Sequence, residues 1–146
     1  MRTIDVSRDI PAPRSAVWAV LADYPNIADW NTGIKTSYST GDATEGVGAK
    51  RHCDLAPMGE LEETIAEWQP EERLVINIDT AKKLPIKHGV ATFTLEADGD
   101  TTTTGISYAY EPGYGPIGRL ISGSLDKQLA KGFDGFLVDL RVAGPR

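Results

Sequence analysis

Arg51, Glu62, Tyr108 and Tyr110 are the side chains of this sequence that could orient or activate an oxygen-bearing molecule, provided the fold turns them to one side. A guanidinium offers a rigid fork of donors, a carboxylate can accept or move a proton, and phenols donate at neutral pH. An Arg51–Glu62 pair has two readings. It could orient a ligand carbonyl or carboxylate, or assist an enolisation or dehydration; equally, it could be a partly buried ion pair at a cavity rim that fixes strand register. Tyr108 and Tyr110 pose the same choice between donors to a substrate oxygen and amphipathic wall residues, and Tyr108 could simply cover Gly89 with its ring. The catalytic candidates are therefore Arg51, Glu62 and Tyr108.

The two histidines offer less. His52 alternates with Lys50 and Asp54, and His88 lies beside Val90, Thr92 and Thr94, which places both on an outward face as surface residues. With no third ligand on that face, no metal site is expected. Cys53 points inward without a histidine partner, so it reads as a small buried hydrophobe and not as a nucleophile. Gly113-Tyr114-Gly115-Pro116 lacks the Lys-Ser/Thr ending of a phosphate loop and reads as a flexible lead into a helix or as a gate. No cofactor is called for.

These groups must be positioned by a strand-rich chain closed by a helix. Thr3 to Ile10 alternates as a strand; Ser15–Leu21 and the segment from Asp23 through Trp30 follow as two short helices. Strands are then predicted near 34 to 40, 47 to 55, 60 to 69, 73 to 80, 86 to 97 and 102 to 111, cut by turn residues such as Pro57-Met58-Gly59 and Asp98-Gly99. Connections this short favour an antiparallel meander. The last element reads as one long helix from Gly115-Pro116-Ile117 through Leu140, with Gly144-Pro145 marking its stop. At about 100° per residue, Ile117, Ile121, Leu125, Leu129, Phe133, Phe136 and Leu140 form its apolar face. Gly118, Ser122 and Gly132 share that stripe, so the helix has thin places over the sheet that can leave a cavity.

Hairpin turns then sort the faces. A two-residue Asp98-Gly99 turn would pair Phe93 with Thr104 and Gly89 with Tyr108, putting Phe93, Ile106, Tyr108 and Tyr110 inside. A turn at Pro57-Met58 would pair Arg51 with Thr64 and Cys53 with Glu62, and puts Val47, Arg51, Cys53, Leu55, Thr64, Ala66 and Trp68 inside, continued by Leu74, Ile76 and Ile78. Trp30 and Ile34 fall at a cavity mouth, as an entrance or as a staple, while Trp18 packs on the long helix.

Composition excludes several roles. The 146 residues suit a single domain, 1-146, and a formal charge of -6 with no basic stripe argues against nucleic acid. Lys82-Lys83 is too small a cluster to change that. One cysteine and no apolar signal region in MRTIDVSRDI make a cytoplasmic location the simplest expectation, and no run approaches membrane-spanning length, so no stable membrane insertion is expected. An outward Val90 and the edge strands could support a homodimer.

Four stretches carry a family resemblance: VSRDIPAPRSAVWAVLADYPNIADWNTGI, GVGAKRHCDL with its Gly-x-x-Arg strand, ELEETIAEWQPEERLVINI, and the amphipathic terminal helix. In this order the chain resembles the START-like helix-grip superfamily (SRPBCC), in particular its polyketide cyclase/dehydrase and lipid-transport branch. The resemblance implies an α+β helix-grip fold, in which a seven-stranded curved antiparallel sheet wraps around a long C-terminal helix and two short helices follow the first strand. It also implies an apolar cavity, expected at roughly 300 to 1,000 Å³. The expected lining is Trp30, Arg51, Cys53, Thr64, Ile76, Phe93, Tyr108 and Tyr110, closed by Ile121, Leu125 and Leu129. The expected partner is a hydrophobic small molecule, a lipid, isoprenoid or aromatic polyketide-like compound, held by a carrier. A cyclase or dehydratase acting on such a ligand and a protein-interaction domain like the chaperone activators remain as alternatives.

Overall fold

All seven alternating segments form strands of one sheet in the computed structural model, which describes residues 2–143. The strands are β1 (Arg2–Ile10), β2 (Ile34–Ser39), β3 (Lys50–Leu55), β4 (Glu60–Gln69), β5 (Arg73–Lys82), β6 (Ile86–Asp98) and β7 (Thr101–Pro112). Their order in space is β1-β7-β6-β5-β4-β3-β2, and every pairing is antiparallel, as short connections require. Between β1 and β2 lie α1 (Arg14–Ala22) and a 3₁₀ helix (Tyr24–Asp29), the two short helices expected. Trp18 of α1 meets Trp68 edge-on at 5.0 Å.

The C-terminal segment departs from the single helix expected. It forms α2 (Gly115–Leu120) and α3 (Ser122–Ala143), broken at Ile121. At Gly118 a Cβ would overlap the carbonyl oxygen of Gly113, so α2 is seated on the loop before it, and the chain leaves helical geometry at Ile121 (φ -95°, ψ 3°) before α3 begins. Ile117, Leu120 and Ile121 consequently face solvent. From Leu125 onward the apolar stripe does face the sheet, with Leu137 joining Leu140 as a fully buried anchor. Gly144-Pro145, expected as the stop, lie outside the described residues. Arg2 and Arg8 of β1 clamp α3 through Asp126 and Asp134; Arg8 Nε and Nη2 donate to the two Asp134 oxygens at 2.7 and 2.9 Å.

Two registers differ from the sequence reading, with unequal consequences. The β6–β7 turn centres on Gly99-Asp100, so Phe93 pairs with Ile106 and Gly89 with Tyr110, a shift of two residues. An even shift preserves faces, and Phe93, Ile106, Tyr108 and Tyr110 are buried inside as expected. The β3–β4 loop takes three residues, Ala56 to Met58, with Leu55 N donating to Gly59 O at 2.8 Å, and Arg51 pairs with Glu63. That is a shift of one, which exchanges the faces of β4: Glu63 turns inward, and Glu62 and Thr64 turn outward. A bulge between Ile65 and Glu67 then restores Trp68 to the inner side and leaves Ala66 exposed. Val47 is also exposed, because the strand expected from 47 begins only at Lys50 after a loop with Gly46 and Gly48 at positive φ.

Candidate functional site

Between the inner face of the sheet and α3 lies a cavity of about 350 Å³. Ile76 and Ile78 of β5, Ala91 and Phe93 of β6 and Tyr108 of β7 form its floor; Leu125, Leu129, Gly132, Phe133 and Phe136 of α3 form its roof. Period-two alternation along the strands and the stripe on α3 supply these walls directly. Aromatic contacts tie roof to floor, Phe136 lying 5.4 Å from Phe93 and Phe133 4.8 Å from Tyr108. Leu84, Pro85 and Ile86, together with Asn31, Gly33 and Ile34, complete the wall.

One ion pair interrupts this apolar surface. Arg51 and Glu63 are 5% and 7% exposed, and Arg51 Nε donates to Glu63 Oε1 at 2.8 Å. Arg51 Nη1 donates to the Tyr24 carbonyl at 2.9 Å, and its guanidinium carbon lies 4.0 Å above the centre of the Tyr24 ring. Burial opposes the arginine's charge, but the charge and hydrogen bond of Glu63, together with the neighbouring Cys53 and Tyr24, more than offset this, so its pKa is raised. Nη2 has no hydrogen-bond partner among the described residues. Burial, reinforced by the Glu63 charge, pushes the Tyr108 phenol up, so it stays a donor at neutral pH. A Cβ on Gly89 would lie 2.6 Å from the Tyr108 hydroxyl; the ring does cover a glycine.

Of the residues expected to line the cavity, Arg51, Ile76, Phe93, Tyr108, Leu125 and Leu129 border it. The others do not. Trp30 packs edge-on against Phe136 at 5.0 Å and borders only a separate void of about 10 Å³ beside Arg51. Cys53 is fully buried behind the ion pair, its thiol donating to Glu63 Oε1 at 3.4 Å; burial, then the Glu63 charge, push its pKa up, which leaves an unreactive thiol. Thr64 is on the outer face bonded to Asp79. The Tyr110 ring is buried and its hydroxyl donates to Asp126; burial and this carboxylate push its pKa up to about 12. Ile121 lies at the exposed helix break. Glu62 faces outward, so the Arg51–Glu62 pair is corrected to Arg51–Glu63. Glu63 was hidden by the loop length alone, since counting three loop residues instead of two turns it inward.

Glu62 meets His52 instead. His52 is on the outer face as expected, but only 8% exposed, stacked on Tyr38 at 5.0 Å and bounded by carboxylates. Nδ1 bonds Glu62, and Nε2 lies 2.9 Å from Asp54 Oδ1 and 3.7 Å from Glu60 Oε1. His52, Asp54 and Glu60 thus share one face, contrary to the expectation that no third ligand would join a histidine there. The bonds to Glu62 and then Asp54 raise the His52 pKa above 6.5. A raised pKa stabilises the fold below the unfolded value, and that contribution disappears as pH rises through the folded one. The urea midpoint of wild type should therefore exceed that of His52→Gln most near about pH 5, with the gap narrowing by about pH 8. A gap independent of pH would show that His52 titrates alike in the folded and unfolded states, and a gap that widens with rising pH would show that the fold disfavours the imidazolium.

The family described as polyketide cyclase / dehydrase and lipid transport matches residues 1–143. Among solved structures, the chain is similar to the Zhui aromatase/cyclase from Streptomyces sp. R1128, with 16% identity, a TM-score of 0.81, and coverage of 99% of this chain and 94% of that one. It is similar to TTHA0849 from Thermus thermophilus at 17% identity and a TM-score of 0.81, covering 97% and 96% of the two chains. Protein MLL2253 from Mesorhizobium loti shares 23% identity at a TM-score of 0.72, with 97% and 96% covered. At these identities the likeness is one of fold, and it supports the helix-grip architecture. No curated protein matches the sequence, and among the described residues no helix is long and apolar enough to cross a membrane.

Proposed function

The chain belongs to the polyketide cyclase / dehydrase and lipid transport family, and from that premise we propose that it binds a hydrophobic small molecule, a lipid, isoprenoid or aromatic polyketide-like compound, in the cavity beneath α3, as a carrier or binding protein. The observation that carries this reading is the cavity itself: about 350 Å³ walled by aliphatic and aromatic side chains, with one buried ion pair. Burial of apolar ligand surface, worth about 25 cal/mol per Å² before ordering costs, would supply affinity, and Arg51 and Tyr108 would orient the ligand.

A second reading, a cyclase or dehydratase, is supported by the same two donors. Arg51 and Tyr108 border one cavity and could polarise a carbonyl while the walls fold a reactive chain. The fold likeness to an aromatase/cyclase agrees with it. Native mass spectrometry and solvent extraction of gently purified protein test the first reading: a stoichiometric apolar compound is expected. Turnover of that compound, abolished by Arg51→Ala and Tyr108→Phe with affinity nearly intact, would instead establish the enzyme. A protein that arrives empty and takes up no lipid-like or aromatic probe would leave protein interaction as the surviving class.

A further inference from the structure

We propose that the cavity selects its ligand by charge, accepting an apolar molecule whose polar head is an uncharged oxygen group such as a ketone or ester, and rejecting the ionised carboxylate of the same size. The proposal rests on the reading of the cavity as a ligand site. Among the described lining residues only Arg51 and Glu63 carry charge, and they carry it in opposite sign 2.8 Å apart. Asn31 and Gln128, the other polar side chains on the wall besides Tyr108, are neutral. The wall as a whole is therefore uncharged.

An arginine in a binding site is commonly taken as an anion receptor. Here the compensation is internal. An arriving carboxylate would meet Arg51 and the carboxylate of Glu63 at similar range, so attraction and repulsion largely cancel while the loss of hydration is borne in full. An uncharged carbonyl avoids that penalty and needs only a donor. Nη2 of Arg51 is unused among the described residues. The Arg51 side of the cavity thus presents a donor without net charge, the complement of a neutral acceptor.

Three matched probes test this with the full chain near neutral pH: 2-acetylnaphthalene, 2-naphthoate and 2-ethylnaphthalene, titrated by calorimetry. The acetyl compound should bind at least about tenfold more tightly than the ethyl compound, through the donor, and at least about tenfold more tightly than naphthoate, through charge. Glu63→Gln keeps the shape of the side chain and frees the positive charge, so it should bring naphthoate level with the ketone or ahead of it. Naphthoate binding to wild type as tightly as the ketone overturns the proposal, as does rejection of naphthoate that survives unchanged in a folded Glu63→Gln. If that variant does not fold, the wild-type ranking decides alone. Failure of all three probes to bind removes the ligand-site reading itself, whereas equal binding of all three removes only the selectivity.

Discussion

Glu63→Ala is expected to destabilise the fold by about 3–5 kcal/mol, because it leaves the Arg51 guanidinium almost fully buried without its carboxylate. Both groups are almost fully buried, and after the substitution Arg51 keeps only the Tyr24 carbonyl and the face of the Tyr24 ring. The cost should belong to the unpaired charge and not to the pair. Replacing both partners together, as in the Arg51→Met, Glu63→Leu double variant, should therefore recover most of the loss, since a buried ion pair and a well-packed apolar pair differ little in net stability. Urea unfolding of the two variants and wild type measures both terms. A loss of about 1 kcal/mol or less for Glu63→Ala would mean that water in the cavity hydrates the guanidinium. That result would also weaken the charge argument for ligand choice, which depends on the same dry surroundings.

The importance of this pair shows what the sequence can and cannot reveal. Alternation located all seven strands because each strand buries one face, and the short connections between them gave the antiparallel order. Face assignment depends on parity, and parity depends on loop length. At β6–β7 the register moved by two residues and Tyr108 stayed inside; at β3–β4 it moved by one, and Glu63 replaced Glu62 as the partner of Arg51. Nothing in the composition of EETIAEW distinguishes the two glutamates. Likewise, the apolar rhythm Ile117, Ile121, Leu125 runs unbroken through the sequence, whereas the break at Ile121 and the seat of Gly118 on the Gly113 carbonyl exist only in three dimensions. His52 was placed on the correct face, but its burial comes from Tyr38 on the neighbouring strand, whose register with β3 no local pattern sets.

The thin places on the terminal helix separate in the same way. Gly118 is thin because backbone fills its space, so a leucine there would dislodge α2. Gly132 is thin because a Cβ on it meets nothing within 4 Å, while the residue borders the cavity from α3. Gly132→Leu should therefore improve the helix by about 0.5–1 kcal/mol, the ordinary gain from replacing a helical glycine. The same side chain would occupy the roof of the cavity, and uptake of an apolar probe should fall at least about tenfold, the equivalent of about 1.4 kcal/mol of lost binding. Thermal unfolding and probe titration on one preparation give both quantities. Higher stability with lower uptake has a single physical source, loss of open volume, because damage to the fold would lower both. Higher stability with undiminished uptake would show that the ligand lies elsewhere than beneath α3.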